Sequence, residues 1–75
     1  MPVKLFAHTN ETESKQVMAL LEDAEIEYEL IEPDTTLMGY DVMFSVTGTK
    51  KPPVLCVDGK AYRRLSGVQD FFATR

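Results

Sequence analysis

The chain has 75 residues, 44% of them hydrophobic and 27% charged. That balance implies one small folded domain over residues 1–75 and excludes a disordered chain. A net charge of −4 with one cysteine and one histidine excludes three classes: nucleic-acid binders, since Lys50-Lys51 and Arg63-Arg64 are too sparse to follow a phosphate backbone, disulfide frameworks, and cysteine- or histidine-based metal clusters.

In chain order, Met1-Pro2-Val3-Lys4 carries no apolar signal-peptide segment, and no apolar run approaches the roughly 20 residues of a membrane span. A soluble cytoplasmic protein is therefore expected. Val3-Lys4-Leu5-Phe6-Ala7 is β-rich and reads as a first strand. Asn10 is placed to cap a helix, and Glu13 to reach back and complete a capping box. Val17, Leu20, Leu21 and Ala24 recur at helical spacing, with Lys15, Glu22, Asp23 and Glu25 on the other face, so a helix is predicted from about Glu11 to Glu25. Ile26 to Ile31 alternates apolar and acidic residues, the pattern of a half-buried second strand. Glu32-Pro33-Asp34-Thr35-Thr36 is turn chemistry.

Tyr40 to Val46 is predicted as a short helix ending at a C-cap glycine, Gly48, although its Val, Phe and Tyr residues also suit a strand. Met38, Met43 and Phe44 are expected in the core of so small a domain. An exposed contact surface is the alternative for them. Pro52-Pro53-Val54-Leu55-Cys56-Val57 is a continuous apolar run, expected as a buried central strand. Asp58-Gly59 is a two-residue hairpin turn, from which Lys60 to Leu65 returns antiparallel. Ser66-Gly67 is expected to break that strand. Val68, Phe71 and Phe72 fit a short final helix on the sheet. Cys56 falls inside the buried strand, where a thiol behaves as a small hydrophobe and is inert.

Three local patterns, in order, carry a resemblance over nearly the whole chain. The first runs without a gap from Val3 through Leu20-Leu21-Glu22 and Ile26-Glu27-Tyr28 to Ile31. The second runs from Thr47-Gly48 through Pro53 to Asp58-Gly59. The third is Leu65-Ser66-Gly67. On these the chain resembles the glutaredoxin branch of the thioredoxin fold, including the NrdH-type redoxins. The resemblance implies an α/β thioredoxin-like domain in the order β-α-β-α-β-β-α, with a four-stranded mixed sheet and three helices. A phage or bacterial source would be in keeping with it.

The resemblance also implies that positions 11 and 14 are the slots of a Cys-x-x-Cys pair. Here they hold Glu11 and Ser14. In the family the first cysteine is a thiolate stabilised by the helix N-terminus. A carboxylate gains from the same helix end but forms no mixed disulfide, and a serine hydroxyl has no redox chemistry. His8 stands where the family often has Lys or Arg, and Gln69, beside Asp70, lies near an Asp slot that binds the glutathione amine. Pro53 falls in a cis-proline slot, whose preceding backbone pairs with an extended peptide or with glutathione. X-Pro bonds are the only common cis peptides. Pro52 departs from the Val or Ala usual there and removes an N–H.

The implied groove thus comprises His8, Glu11, Ser14, Lys51, Pro52, Pro53, Ser66, Gly67 and Gln69. No catalytic residue, metal ligand or cofactor is assigned, with glutathione the one candidate ligand. Plain readings compete at each position: acidic residues suit a helix first turn, a lone loop histidine is usually solvated, basic pairs are usually surface, and Ser14 with His8 lacks the further partners of a nucleophile. The expected function is a redox-inactive, glutaredoxin-like binding or regulatory module for a protein segment. The alternatives are a thiol–disulfide oxidoreductase or glutathione-binding protein with an atypical site, working through Cys56, and a structural subunit of a larger assembly.

Overall fold

A computed structural model of the chain describes residues 3–74. Its elements in order are β1 (Val3–Phe6), α1 (Thr12–Asp23), β2 (Glu29–Ile31), α2 (Gly39–Thr47), β3 (Val54–Val57), β4 (Lys60–Arg63) and α3 (Arg64–Thr74). The four strands form one mixed sheet in the order β2-β1-β3-β4. β1 pairs parallel with β2 through Leu5↔Leu30, as the crossover through α1 requires, and antiparallel with β3 through Leu5↔Leu55. β3 pairs antiparallel with β4 through Leu55↔Tyr62.

Strand alternation splits the core into two layers. Leu5, Ala7, Leu55 and Val57 meet Val17 and Leu21 of α1 and Val68 of α3. Phe6, Val54 and Cys56 meet Met43 of α2, with Ile31 and Tyr40 beside them. β3 is buried along its whole length because it has helices over both faces, which is why its sequence is a continuous apolar run. The hairpin after it turns at Asp58 (φ 51°) and Gly59 (φ 83°), the two left-handed positions of a type I′ turn. α2 ends on Gly48 at φ 77°, whose N–H donates to Phe44 O at 2.8 Å.

Several boundaries differ from the sequence-based expectation. Helix α1 stops at Asp23, not Glu25. Glu25 takes φ 57°, its N–H returns to Glu22 O at 3.0 Å and that of Ile26 to Leu21 O at 2.9 Å. This is a Schellman closure with a glutamate in the seat glycine prefers. It consumes the chain that alternation had assigned to the second strand, so β2 begins only at Glu29. Likewise β3 begins at Val54, with Pro52-Pro53 outside the ladder. The expected capping box is absent: Glu11, not Asn10, is the N-cap of α1, with no side-chain cap, and Glu13 is engaged elsewhere.

Ser66-Gly67 does not break the last strand. Both lie in the first turn of α3, which starts at Arg64. A Cβ on Gly67 would meet the backbone of Tyr62 at 3.0 Å, so this glycine permits close approach of α3 to β4. Met43 is core, but Met38 and Phe44 are exposed, because only one side of α2 meets the sheet.

Candidate functional site

The loop after β1 closes tightly before α1: the Glu11 N–H donates to His8 O at 3.0 Å. Glu11 adopts extended backbone, φ −85° and ψ 141°, as the N-cap of α1. Its exposed carboxylate therefore stands at the positive end of the helix, and its Oε1 lies 3.6 Å from His8 Nε2.

His8 is half-buried and held from the other side of the loop cluster. Its Nδ1 is 2.7 Å from Asp34 Oδ2. The two atoms lie close without the alignment of a hydrogen bond, since buried Nδ1 has no hydrogen-bond partner. Tyr40 Oη donates to Asp34 Oδ1 at 2.5 Å and lies 3.0 Å from His8 Nε2. With its one proton given to Asp34, the Tyr40 oxygen is left to accept from His8 Nε2. The hydrogen bond to Asp34, then burial and the charges of Asp34 and Glu11, push the Tyr40 hydroxyl up to about 12.

This network is placed by the turn between β2 and α2. Pro33 is buried beneath Gly39, where an added Cβ would lie 2.7 Å from Pro33 Cα and O. The close approach fixes Asp34 and Tyr40 at the two ends of one short segment. Thr9 Oγ1 donates to Glu32 Oε2 at 3.2 Å, and Ala7 N–H to Ile31 O at 3.1 Å. The loops that follow the two parallel strands are thereby tied together.

A second wall is built around Arg64. Its backbone is left-handed, φ 65°, which costs about 1–2 kcal/mol for a residue with a Cβ. Three of its nitrogen donors hold it there. The Arg64 N–H donates to Pro53 O at 2.7 Å. Arg64 Nε lies 3.1 Å from both Glu13 carboxylate oxygens, and Nη2 donates to Glu13 Oε1 at 2.6 Å. The Leu65 N–H gives Glu13 Oε2 a further bond at 2.8 Å, so Glu13 caps α3 instead of its own helix. The Arg64 hydrogen bond first, then the Leu65 N–H and the Arg64 charge, hold the Glu13 carboxyl below its ordinary value against an opposing effect of burial. The same pair raises the Arg64 guanidinium. Pro53 is buried and its bond to Pro52 is cis. The head of α1, Pro53 and the start of α3 thus converge on one arginine.

The remaining groove residues are distributed as follows. Ser14 is fully buried and its Oγ has no hydrogen-bond partner. Lys51 is exposed beside half-buried Pro52, its N–H bonded to Thr49 Oγ1 at 3.2 Å. Ser66 is exposed on α3, and Gly67 lies against Tyr62. Gln69 lines a shallow, mostly apolar cleft of about 280 Å³ between α1 and α3, with Gln16, Ala19, Leu20, Asp23 and Leu65. The interactions of His8 and Glu11 do not include it. Sequence reasoning missed Asp34, Tyr40 and Arg64, whose parts depend on tertiary contacts. The one available signal was that Asp34 sits in a Pro-Asp turn directly after a strand.

Cys56 is buried on β3, opposite Lys4 on β1. Burial pushes its thiol up, partly offset by the Lys4 charge, so the sulfur stays protonated and poorly nucleophilic. Among the described residues, no group of three or more His, Cys, Asp or Glu side chains is arranged to hold a metal, and no helix is long and apolar enough to cross a membrane.

No protein-family model matches the chain, and no curated protein matches its sequence. Solved structures do. The glutaredoxin–glutathione complex from buckwheat superposes with a TM-score of 0.82 at 21% identity, over 97% of this chain and 69% of that one. The holo form of glutaredoxin C1 from Populus tremula x tremuloides gives 0.80 at 22% identity, over 99% and 76%. A diazinon-metabolizing glutathione S-transferase from the silkworm Bombyx mori gives 0.82 at 22% identity, over the whole of this chain but 38% of that one. At such identities the likeness is one of architecture: this chain has the glutaredoxin type of the thioredoxin fold, β-α-β-α-β-β-α, on a four-stranded mixed sheet.

Proposed function

We propose that this protein acts by binding, without thiol–disulfide exchange, and that the surface between the Glu11 loop and Pro53 receives an extended segment of a protein partner in the cytoplasm. The observation that carries this reading is Glu11 at the N-cap of α1. An anion there takes the same helix-end stabilisation that favours a thiolate, but a carboxylate has no sulfur to exchange. Pro52, directly before Pro53, has no N–H to offer an extended segment, so recognition rests largely on side chains: Glu11, His8 with its Tyr40 and Asp34 supports, and exposed Lys51.

Glutathione is the small-molecule alternative, since one structural neighbour is a glutaredoxin–glutathione complex. The Glu11 and Asp34 carboxylates at this surface oppose an anionic tripeptide, which favours a protein segment. An atypical thiol enzyme would have to work through Cys56, whose burial keeps it protonated.

Two measurements test the reading. Reduction of insulin or of a glutathione mixed disulfide is expected to match a protein-free control, and turnover that vanishes in Cys56→Ala contradicts it. Affinity capture from the native host is expected to recover a partner with the wild type and lose it with Glu11→Lys. Capture indifferent to that change puts the binding surface elsewhere.

A further inference from the structure

Tyr40, His8 and Asp34 close a ring of three polar contacts between the loop after β1 and the turn before α2. Tyr40 Oη lies 2.5 Å from Asp34 Oδ1 and 3.0 Å from His8 Nε2, and His8 Nδ1 lies 2.7 Å from Asp34 Oδ2. Each contact joins two atoms that carry lone pairs, so each attracts only with a proton on one of them.

The number of available protons sets the charge of the histidine. A tyrosine supplies one, a neutral imidazole one and an ionised carboxylate none. Two protons serve two of the three contacts, whichever nitrogen of a neutral His8 holds its proton. The Tyr40 proton goes to Asp34 in the shortest contact and His8 Nε2 donates to the Tyr40 oxygen, so Nδ1 is the atom left bare. At 2.7 Å from Asp34 Oδ2, inside the usual N–H···O separation of about 2.9–3.0 Å, a bare Nδ1 and a carboxylate oxygen repel. An imidazolium has both nitrogens protonated, and its positive charge holds the carboxylate even where the N–H is not aligned for a hydrogen bond. Asp34 is exposed and imidazole is the stronger base of the two, so the third proton belongs to His8.

The charges around the ring act in the same direction. Glu11, at the head of α1, faces His8 Nε2 from 3.6 Å. Glu32, directly after β2, accepts from Thr9. Arg64 feels the charge of Glu11 but is paired with Glu13, and Lys50 is paired with Asp41. Among the described residues, the ion pairs of Glu11 and Asp34 are those with His8.

We propose that His8 is a pH-sensitive latch on this surface. With both ring nitrogens protonated it ties the β2–α2 turn, through Asp34 and Tyr40, to the loop that carries Glu11. When it loses a proton, Nδ1 repels Asp34, the turn parts from the loop, and the surface around Glu11 becomes more negative by one unit. As regulation of binding, the latch rests on the function proposed above; its experiment is made on the free protein, so the two can fail separately.

The chain has a single histidine, which makes its ring signals unambiguous in nuclear magnetic resonance spectra. The His8 and Tyr40 ring centroids lie 5.9 Å apart, close enough for nuclear Overhauser contacts between ring protons. In a titration from about pH 5 to about pH 9, these contacts are expected at the acid end and are expected to vanish in step with deprotonation of the ring. Contacts that persist unchanged once the ring is neutral overturn the proposal, whether or not a partner binds. Asp34→Asn supplies the missing proton itself: its Nδ2–H donates to a neutral Nδ1 while Oδ1 still accepts from Tyr40. That variant is expected to keep the ring contacts at both ends of the titration. Their loss in Asp34→Asn on the same titration as in the wild type contradicts the latch, because the repulsion that opens it is absent there.

Discussion

Two residues at this surface have ionisation tied to folding, with opposite signs. Glu13 is held below its ordinary value of 4.5 by Arg64 and by the Leu65 N–H. The folded protein therefore favours the carboxylate. Its contribution is present above about pH 4.5 and is lost as pH falls through the lowered folded value. Glu13→Ala is expected to cost about 1–2 kcal/mol, the range for losing a helix cap, and to flatten stability against pH on the acid side. Urea unfolding between pH 3 and pH 7 checks both; a variant as acid-sensitive as the wild type would show that the clamp is not the source. Tyr40 behaves the other way. Its hydroxyl is raised from 10.0 to about 12 by its hydrogen bond to Asp34. The folded state keeps its proton longer, so stability is lost as pH rises from about 10 towards 12. Tyr40→Phe is expected to remove that alkaline loss, and an unchanged alkaline limb would place its cause elsewhere.

At the scale of elements, the site depends on how closely α2 approaches the turn before it. A Cβ at Gly39 would sit 2.7 Å from Pro33 Cα and O, and backbone on both sides leaves little room to yield. Gly39→Ala is expected to destabilise by about 1–3 kcal/mol, the usual cost of overpacking, and to separate Tyr40 from Asp34. A calorimetric midpoint and the nuclear magnetic resonance signals of Tyr40 report the two effects separately; neither changing would mean that the approach is looser than described.

The same locality explains what was readable in the chain. The buried run of β3, the Asp58-Gly59 turn and the Gly48 cap are written in adjacent residues, so sequence identifies them. The start of α3 is not, because its cap is a carboxylate 52 residues earlier in the chain: Glu13 receives the Leu65 N–H. For that reason Ser66-Gly67 reads as a break in sequence and is helix in the fold. The end of α1 was missed because a left-handed glutamate, Glu25, does what glycine ordinarily does. Glu11 and His8 were legible as neighbours across a turn. Asp34, Tyr40 and Arg64, which orient or enclose them, come from segments that only the fold brings together.

At the scale of the whole molecule, a small three-layer domain presents two different surfaces. One, at the head of α1, gathers Glu11, His8, Asp34 and Tyr40 beside the Arg64 clamp on Pro53. The other is the exposed side of α2, where Val42 and Phe44 flank Asp41 and Ser45. The sheet supplies rigidity to both, since β3 is fixed on each face by helices. The proposed binding at the first surface rests on one physical statement: position 11, the N-cap of α1, is a seat that stabilises negative charge, and it carries a carboxylate in the slot that the resemblance to glutaredoxins gives to a reactive thiol. The most direct measurement is the titration of a thiol placed there in the double variant Glu11→Cys, Ser14→Cys, followed by its ultraviolet absorbance. A midpoint clearly below the free-thiol value of about 8.5 is the expected result. A midpoint at or above that value would contradict it.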